Sequence, residues 1–233
     1  MRFICVQNAL NMATRFKNIL IGKQGGKTLL ERMLGGNEPP ASALADYNPL
    51  RLALNDLVEL RAEDTGTYNV VNITTYRTDM GDHRFESVKY FLRDSAAADA
   101  SDTLVLEAIA PAEGDEPEQF VFHVLEEMEY AQDFMQLLDD EIFVINEETD
   151  DGEIEKEYEK MFHVTSETRA MTADGPPRSG RVEVWNYERE DEFETTYLAI
   201  EVDTDDGWTT MYEGRKVLGG EINIFPLSGE QSA

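Results

Sequence analysis

From residue 50 onward the chain is a succession of short β-branched and aromatic runs bounded by turn-forming residues, which commits its body to strands. "DLVELRA", "TYNVVNITTY", "FESVKYFLRD", "DTLVLEAIA" and "EQFVFHVLEE" come first. "EIFVINEE", "EKMFHVTSET", "RVEVWNYERE", "TTYLAIEVD", "WTTMYEGRKV" and "EINIFPL" follow. Side chains alternate across a strand, so Val182, Val184 and Asn186 share one face while Glu183, Trp185 and Tyr187 share the other.

The two series run in parallel. A shift of 94 residues pairs Tyr68 with Phe162, Val70 with Val164 and Val88 with Val182. The same shift of 94 pairs Leu104 with Leu198, Leu106 with Ile200 and Glu107 with Glu201. Upstream, a shift of 85 pairs Leu57 with Ile142 and Leu60 with Ile145, and the difference falls at an acidic insert, "NEETDDGEIEKEYE". The expectation is a mainly β chain with a minor α+β character. It has two tandem, similar antiparallel β units, residues 50–138 and 139–233, joined by a short helix. The helix is expected over residues 126–140, where Met128, Ala131, Met135 and Leu138 recur at helical spacing.

Charge divides the chain differently. The net charge is −28, yet residues 1–36 carry Arg2, Arg15, Lys17, Lys23, Lys27 and Arg32 against Glu31, a net +5 that leaves −33 for the rest. Nucleic acid is thereby excluded as a ligand of the body, because phosphate binding is driven by Lys and Arg. Seven Lys against thirteen Arg, with so much acid, suits solubility or life in high salt. No apolar run approaches the ~18 residues of a spanning helix. Lone Cys5 excludes an internal disulfide and fits a reducing, cytoplasmic setting.

The basic opening contains "GKQGGKT", which imitates a phosphate-binding loop. Five residues before Gly26 stands Ile21, not glycine, so the backbone cannot wrap a phosphate in the required way. A helical reading fits better: Ala9, Met12, Ala13, Phe16, Ile19 and Leu20 fall on one face, with Arg15 and Lys17 beside it. Gly22, Gly25 and Gly26 interrupt the helix, and the Pro-rich stretch 37–49 reads as a linker closing a segment 1–49. "MATRF" at Met12 also reads as a translation start, which would make residues 1–11 an extension. Arg15, Phe16, Lys17, Ile19, Leu20, Lys23 and Lys27 are the candidate docking residues for a protein partner or an anionic membrane surface.

Motifs for chemistry are absent or imperfect. "VDTDDGWTTMYE" would place Val202 and Thr204 where a calcium loop needs oxygen ligands, so a hairpin turn at Asp205-Asp206-Gly207 is expected. His83, His123 and His163 have no His or Cys three or four residues away, which leaves no zinc spacing. No catalytic residue, metal ligand or cofactor site is assigned. Glu107 and Glu201 occupy equivalent places in the two series. Turned inward they would form a symmetric acid pair, but strand-end carboxylates in water are the expected case. Trp185, Tyr187, Tyr197, Trp208 and Tyr212 are candidates to line a cleft between the units.

The C-terminal "VWNYEREDEFETTYLAIEVDTDDGWTTMYEGRKVLGGEINIFP" and the basic "RFKNILIGK" resemble the uncharacterised bacterial YjfK-like family. That resemblance implies a protein of unknown function encoded beside relatives of phage shock protein A, acting at the membrane surface rather than as an enzyme. The primary reading is therefore a non-enzymatic acidic adaptor, cytoplasmic or peripheral to the inner membrane. The alternative is a small-ligand-binding β module with an aromatic cleft.

Overall fold

The computed structural model describes residues 48–61, 66–80, 83–94, 103–109, 117–129, 131–149, 152–173, 175–192 and 194–226. The basic segment carrying Arg15, Phe16, Lys17, Ile19, Leu20, Lys23 and Lys27 lies outside them. The chain is mainly β. Five strands come first: β1 (Leu57–Leu60), β2 (Gly66–Met80), β3 (His83–Asp94), β4 (Thr103–Ile109) and β5 (Glu118–Glu129). A helix, α1 (Gln132–Leu137), leads to β6 (Ile142–Thr149), β7 (Gly152–Thr172), β8 (Arg178–Glu190), β9 (Thr195–Asp203), β10 (Trp208–Val217) and β11 (Ile222–Phe225). Among the described residues no helix is long and apolar enough to cross a membrane.

One expectation about local structure changes, and a second acquires its form. The helix foreseen over 126–140 is only six residues long, because Glu126–Glu129 remain in β5 and pair with Trp208–Met211 of β10. Backbone hydrogen bonds to a waiting strand outweigh the helical spacing of the methionines. The acidic stretch read as an insert is a hairpin of paired strand. Ile142 to Thr149 of β6 faces Glu159 to Gly152 of β7, and Gly152 opens β7 with a positive φ of 130°.

All strands belong to one antiparallel sheet in the order β11-β1-β2-β3-β4-β5-β10-β9-β8-β7-β6, and β2 also pairs with β7. That last pairing closes β2, β3, β4, β5, β10, β9, β8 and β7 into an eight-stranded ring. The long strands make closure possible. β2 pairs with β1 through Leu60↔Gly66 to Leu57↔Asn69 and then with β7 over Asn72–Thr78, on the same edge. β7 repeats the arrangement, pairing first with β6 and then with β2. Each long strand carries a bulge where it changes partner, at Val70/Asn72 in β2 and at Lys160/Phe162 in β7. An extra residue bends the strand and increases its twist, which turns the sheet into a barrel.

Alternation then divides the apolar residues between two surfaces. Outside the ring, Leu52, Val58 and Leu60 cover Val88, Tyr90, Leu92, Leu104, Leu106 and Val121 of the first half. The second half is covered likewise: Phe134, Met135, Leu138, Phe143 and Ile145 lie over Trp185, Tyr187, Leu198, Ile200 and Met211. Inside the ring, Val105, Phe120, Phe122, Ala199 and Tyr212 form one cluster and Tyr76, Val182 and Val184 another.

The seam between β5 and β10 demands a glycine. A Cβ on Gly214 would lie 2.2 Å from the Val121 carbonyl oxygen and 2.5 Å from the Phe122 ring. Backbone cannot give way as a side chain would. Gly214→Ala is expected to cost about 1–3 kcal/mol, as overpacking does elsewhere, measurable as a lower urea midpoint with an unchanged slope.

Candidate functional site

Inside the barrel, β3 contributes Phe85, Ser87 and Lys89, and β4 contributes Glu107 and Ile109. Tyr76 and Thr78 come from β2, Phe120 and Phe122 from β5, Val164 and Ser166 from β7, Val184 and Asn186 from β8, and Tyr197 and Glu201 from β9. These side chains bound a cavity of about 70 Å³ that is open to solvent. The lining runs from the middle of the strands to the end where β2–β3, β4–β5 and β8–β9 turn, so the cavity occupies one half of the barrel's length.

Its floor is charged. Lys89, 2% exposed, places Nζ 2.6 Å from Glu201 Oε1 and 3.9 Å from Glu107 Oε2. The same Nζ lies 4.4 Å from the Tyr212 ring centroid, 5.4 Å from that of Tyr76 and 5.8 Å from that of Phe122, within the range of cation–π attraction. Tyr76 Oη donates to Glu201 Oε2 at 3.1 Å and Tyr212 Oη does so at 3.4 Å. Glu201 is thus held by an ammonium and two phenols. Glu107 accepts from Ser87 Oγ at 3.0 Å and meets Lys89 only at the longer distance.

The titration behaviour follows from this geometry. Burial pushes the Glu107 carboxyl above its ordinary range. Lys89 opposes the rise, Glu201 adds to it, and the Ser87 hydrogen bond opposes it. Burial alone would lower Lys89, but Glu201 and Glu107 outweigh it and hold the ammonium charged. Tyr76 and Tyr212 are both pushed well up, by burial first and then by the Glu201 charge, so both remain phenols and donors. Nearer the opening, Thr78 and Ser166 share a 2.6 Å hydroxyl contact, and Arg77 Nη2 lies 3.5 Å from Glu86 Oε1.

The five aromatic candidates divide between the two surfaces of the sheet. Tyr197 lines the cavity, with its ring 5.2 Å from Phe120, and Tyr212 lies at the floor over Lys89. Tyr187 borders the cavity, but its ring packs 5.5 Å from Phe143 in the outer core and its hydroxyl donates to the Leu138 carbonyl at 3.1 Å. Trp185 is on that outer surface too, stacked 4.1 Å from His163. Trp208 is 42% exposed at the start of β10, beyond the turn in which Asp203 Oδ1 accepts from the amides of Asp205 and Asp206. Glu107 and Glu201, expected in water, both turn inward.

Sequence reasoning passed over Lys89, Tyr76 and Ser87. One signal was present: Lys89 stands in "RFESVKYFLRD" between Phe85 and Phe91 at alternate positions, while Val88, Tyr90 and Leu92 fill the other face. A lysine in a strand apolar on both faces marks an interior charge. Among the described residues no group of His, Cys, Asp or Glu is arranged to hold a metal ion.

Fold and site together define a closed antiparallel β-barrel with an interior cavity and an ion pair for its floor. No family model, curated protein or solved structure matches the chain significantly.

Proposed function

We propose that the protein is a small-molecule-binding barrel that holds a largely apolar ligand in its open half. The observation that carries this reading is the cavity itself: Phe85, Phe120, Phe122 and Tyr197 wall it, and the Lys89–Glu201 pair closes it below. Eight strands enclose an interior that side chains can just fill or that can hold one small ligand. Here a cavity lies toward one end of the barrel, which suits uptake of a guest. A few polar groups at the end of an apolar pocket orient a ligand without making the pocket wet.

The barrel is read here as two copies of one unit, β1–β5 and β6–β10. Support comes from the shared order of strands, the bulge in each long strand, and the centre of the β2–β7 pairing, Thr75↔Arg169, two residues themselves 94 apart. The cavity then lies between the copies.

Val164→Trp tests the function. Its indole would project among the lining residues, and uptake of the neutral fluorophore N-phenylnaphthylamine should fall at least about tenfold, since filling the space removes the apolar burial that drives binding. Far-UV circular dichroism identical to the wild type would show that the barrel persists. Undiminished uptake would place the fluorophore elsewhere.

A second reading, docking of the basic segment on a protein partner or anionic membrane, is supported by the +5/−33 division of charge. Co-sedimentation with anionic vesicles at low salt should be lost when residues 1–36 are removed. Equal, negligible sedimentation of both forms would sink the membrane version.

A further inference from the structure

We infer that the ligand is a hydrophobic monocation, an amine whose ammonium group seats against Glu107 while its apolar body lies among Phe85, Phe120 and Tyr197. The inference rests on the barrel reading above and adds the charge class of the guest. Three observations carry it. First, the charged side chains that enter the cavity are Glu107 and Glu201 against Lys89, two carboxyls to one ammonium, with Glu86 paired to Arg77. Second, Lys89 is already committed, with Glu201 at 2.6 Å and aromatic rings around its Nζ, so an anionic guest would have to displace a buried partner. Third, Glu107 has room for another donor. An ionised carboxylate offers about four lone-pair sites; Glu107 uses one on Ser87 Oγ, and its nearest cation stands 3.9 Å away. An ammonium arriving from the opening would complete the set.

The groups facing Glu107 are Ser87 and Lys89 from β3, Glu201 from β9 and Tyr76 from β2. Burial keeps the Glu107 carboxyl above its usual range, so lowering the pH protonates it early. The protonated acid cannot hold an ammonium. Amine affinity therefore rises with pH through the Glu107 range, binding releasing the carboxyl proton to solvent, and falls again only when the amine itself deprotonates.

Three guests of one shape separate the possibilities: naphthylmethylamine, naphthylmethanol and naphthoate, each displacing N-phenylnaphthylamine from the full chain. At about pH 8 the amine should bind at least about tenfold tighter than the alcohol, the worth of one charge-assisted hydrogen bond in a shielded site. This advantage should shrink toward pH 5. Glu107→Gln should bring the amine down to the level of the alcohol and abolish the pH dependence. An alcohol that equals the amine, or a naphthoate that surpasses both, overturns the charge assignment and leaves the barrel reading intact. A protein that takes up neither the fluorophore nor any of the three guests overturns both.

Discussion

Lys89→Met is expected to remove about 3–5 kcal/mol of folding stability, the usual consequence of deleting one partner of a buried ion pair. The reason lies in what stays behind. Glu201, 7% exposed, would keep its phenol donors but lose the ammonium at 2.6 Å. Glu107 would lose the cation that restrains its upward shift. A carboxyl whose folded pKa lies above its unfolded value binds more protons in the native state, so folding gains stability as the pH falls through that range. The deficit of the variant should narrow from neutral pH toward about pH 5 as Glu107 takes up its proton. The double variant Lys89→Met/Glu201→Met should recover most of the loss, because an apolar pair of similar volume needs no counter-charge. Urea unfolding at the two pH values measures all three. A single variant within about 1 kcal/mol of the wild type would mean that this floor is open to water.

Ile200→Ala should cost about 2–5 kcal/mol, the range for cavities cut into packed cores. Ile200 is fully buried between Leu198, Trp185 and Met211 on the outer surface of the second half. The instructive result is the form of the transition. Trp185 and Trp208 both stand in the second half, whereas far-UV circular dichroism reports every strand. The halves share the β2–β7 and β5–β10 seams, and opening either breaks the ring. Fluorescence and dichroism should therefore lose their signals together, at a lower urea concentration than in the wild type. A fluorescence transition that precedes the dichroism one would show that the halves melt independently.

The strands were legible in the sequence because each run carries its own evidence. "RVEVWNYERE" alternates, is rich in β-branched and aromatic residues, and is bounded by turn formers, whatever it later pairs with. The turn at 204–207 was legible for the same reason: an Asp-Asp-Gly sequence needs only local geometry. The short helix within 126–140 was legible but its start was not, because Glu126–Glu129 satisfy two periodicities at once and only the presence of β10 alongside them decides.

The candidate site was less legible. Alternation separates two faces of a strand but does not say which face is inside a barrel and which lies under a covering strand. Trp185 and Tyr187 fall on one face of β8 with Glu183, and Tyr197 and Tyr212 belong to other strands. Their grouping as a single cleft ignored that choice, and the outer core claimed two of them. The Glu107–Glu201 correspondence was visible at a spacing of 94 residues, yet the inward turn of both depends on Lys89, whose partner in sequence terms is 112 residues away.

What the residues determined by themselves is the kind of chain this is: strand-forming runs in their order, the turns between them, and an acidic body after a basic opening segment. These follow from interactions within a few positions of each residue. Closure of the ring, the choice of inner face and the meeting of Lys89 with two carboxylates belong to the tertiary structure alone. They arise from pairings between β2 and β7 and between β5 and β10, and from the requirement that a charge taken out of water find its counter-charge there.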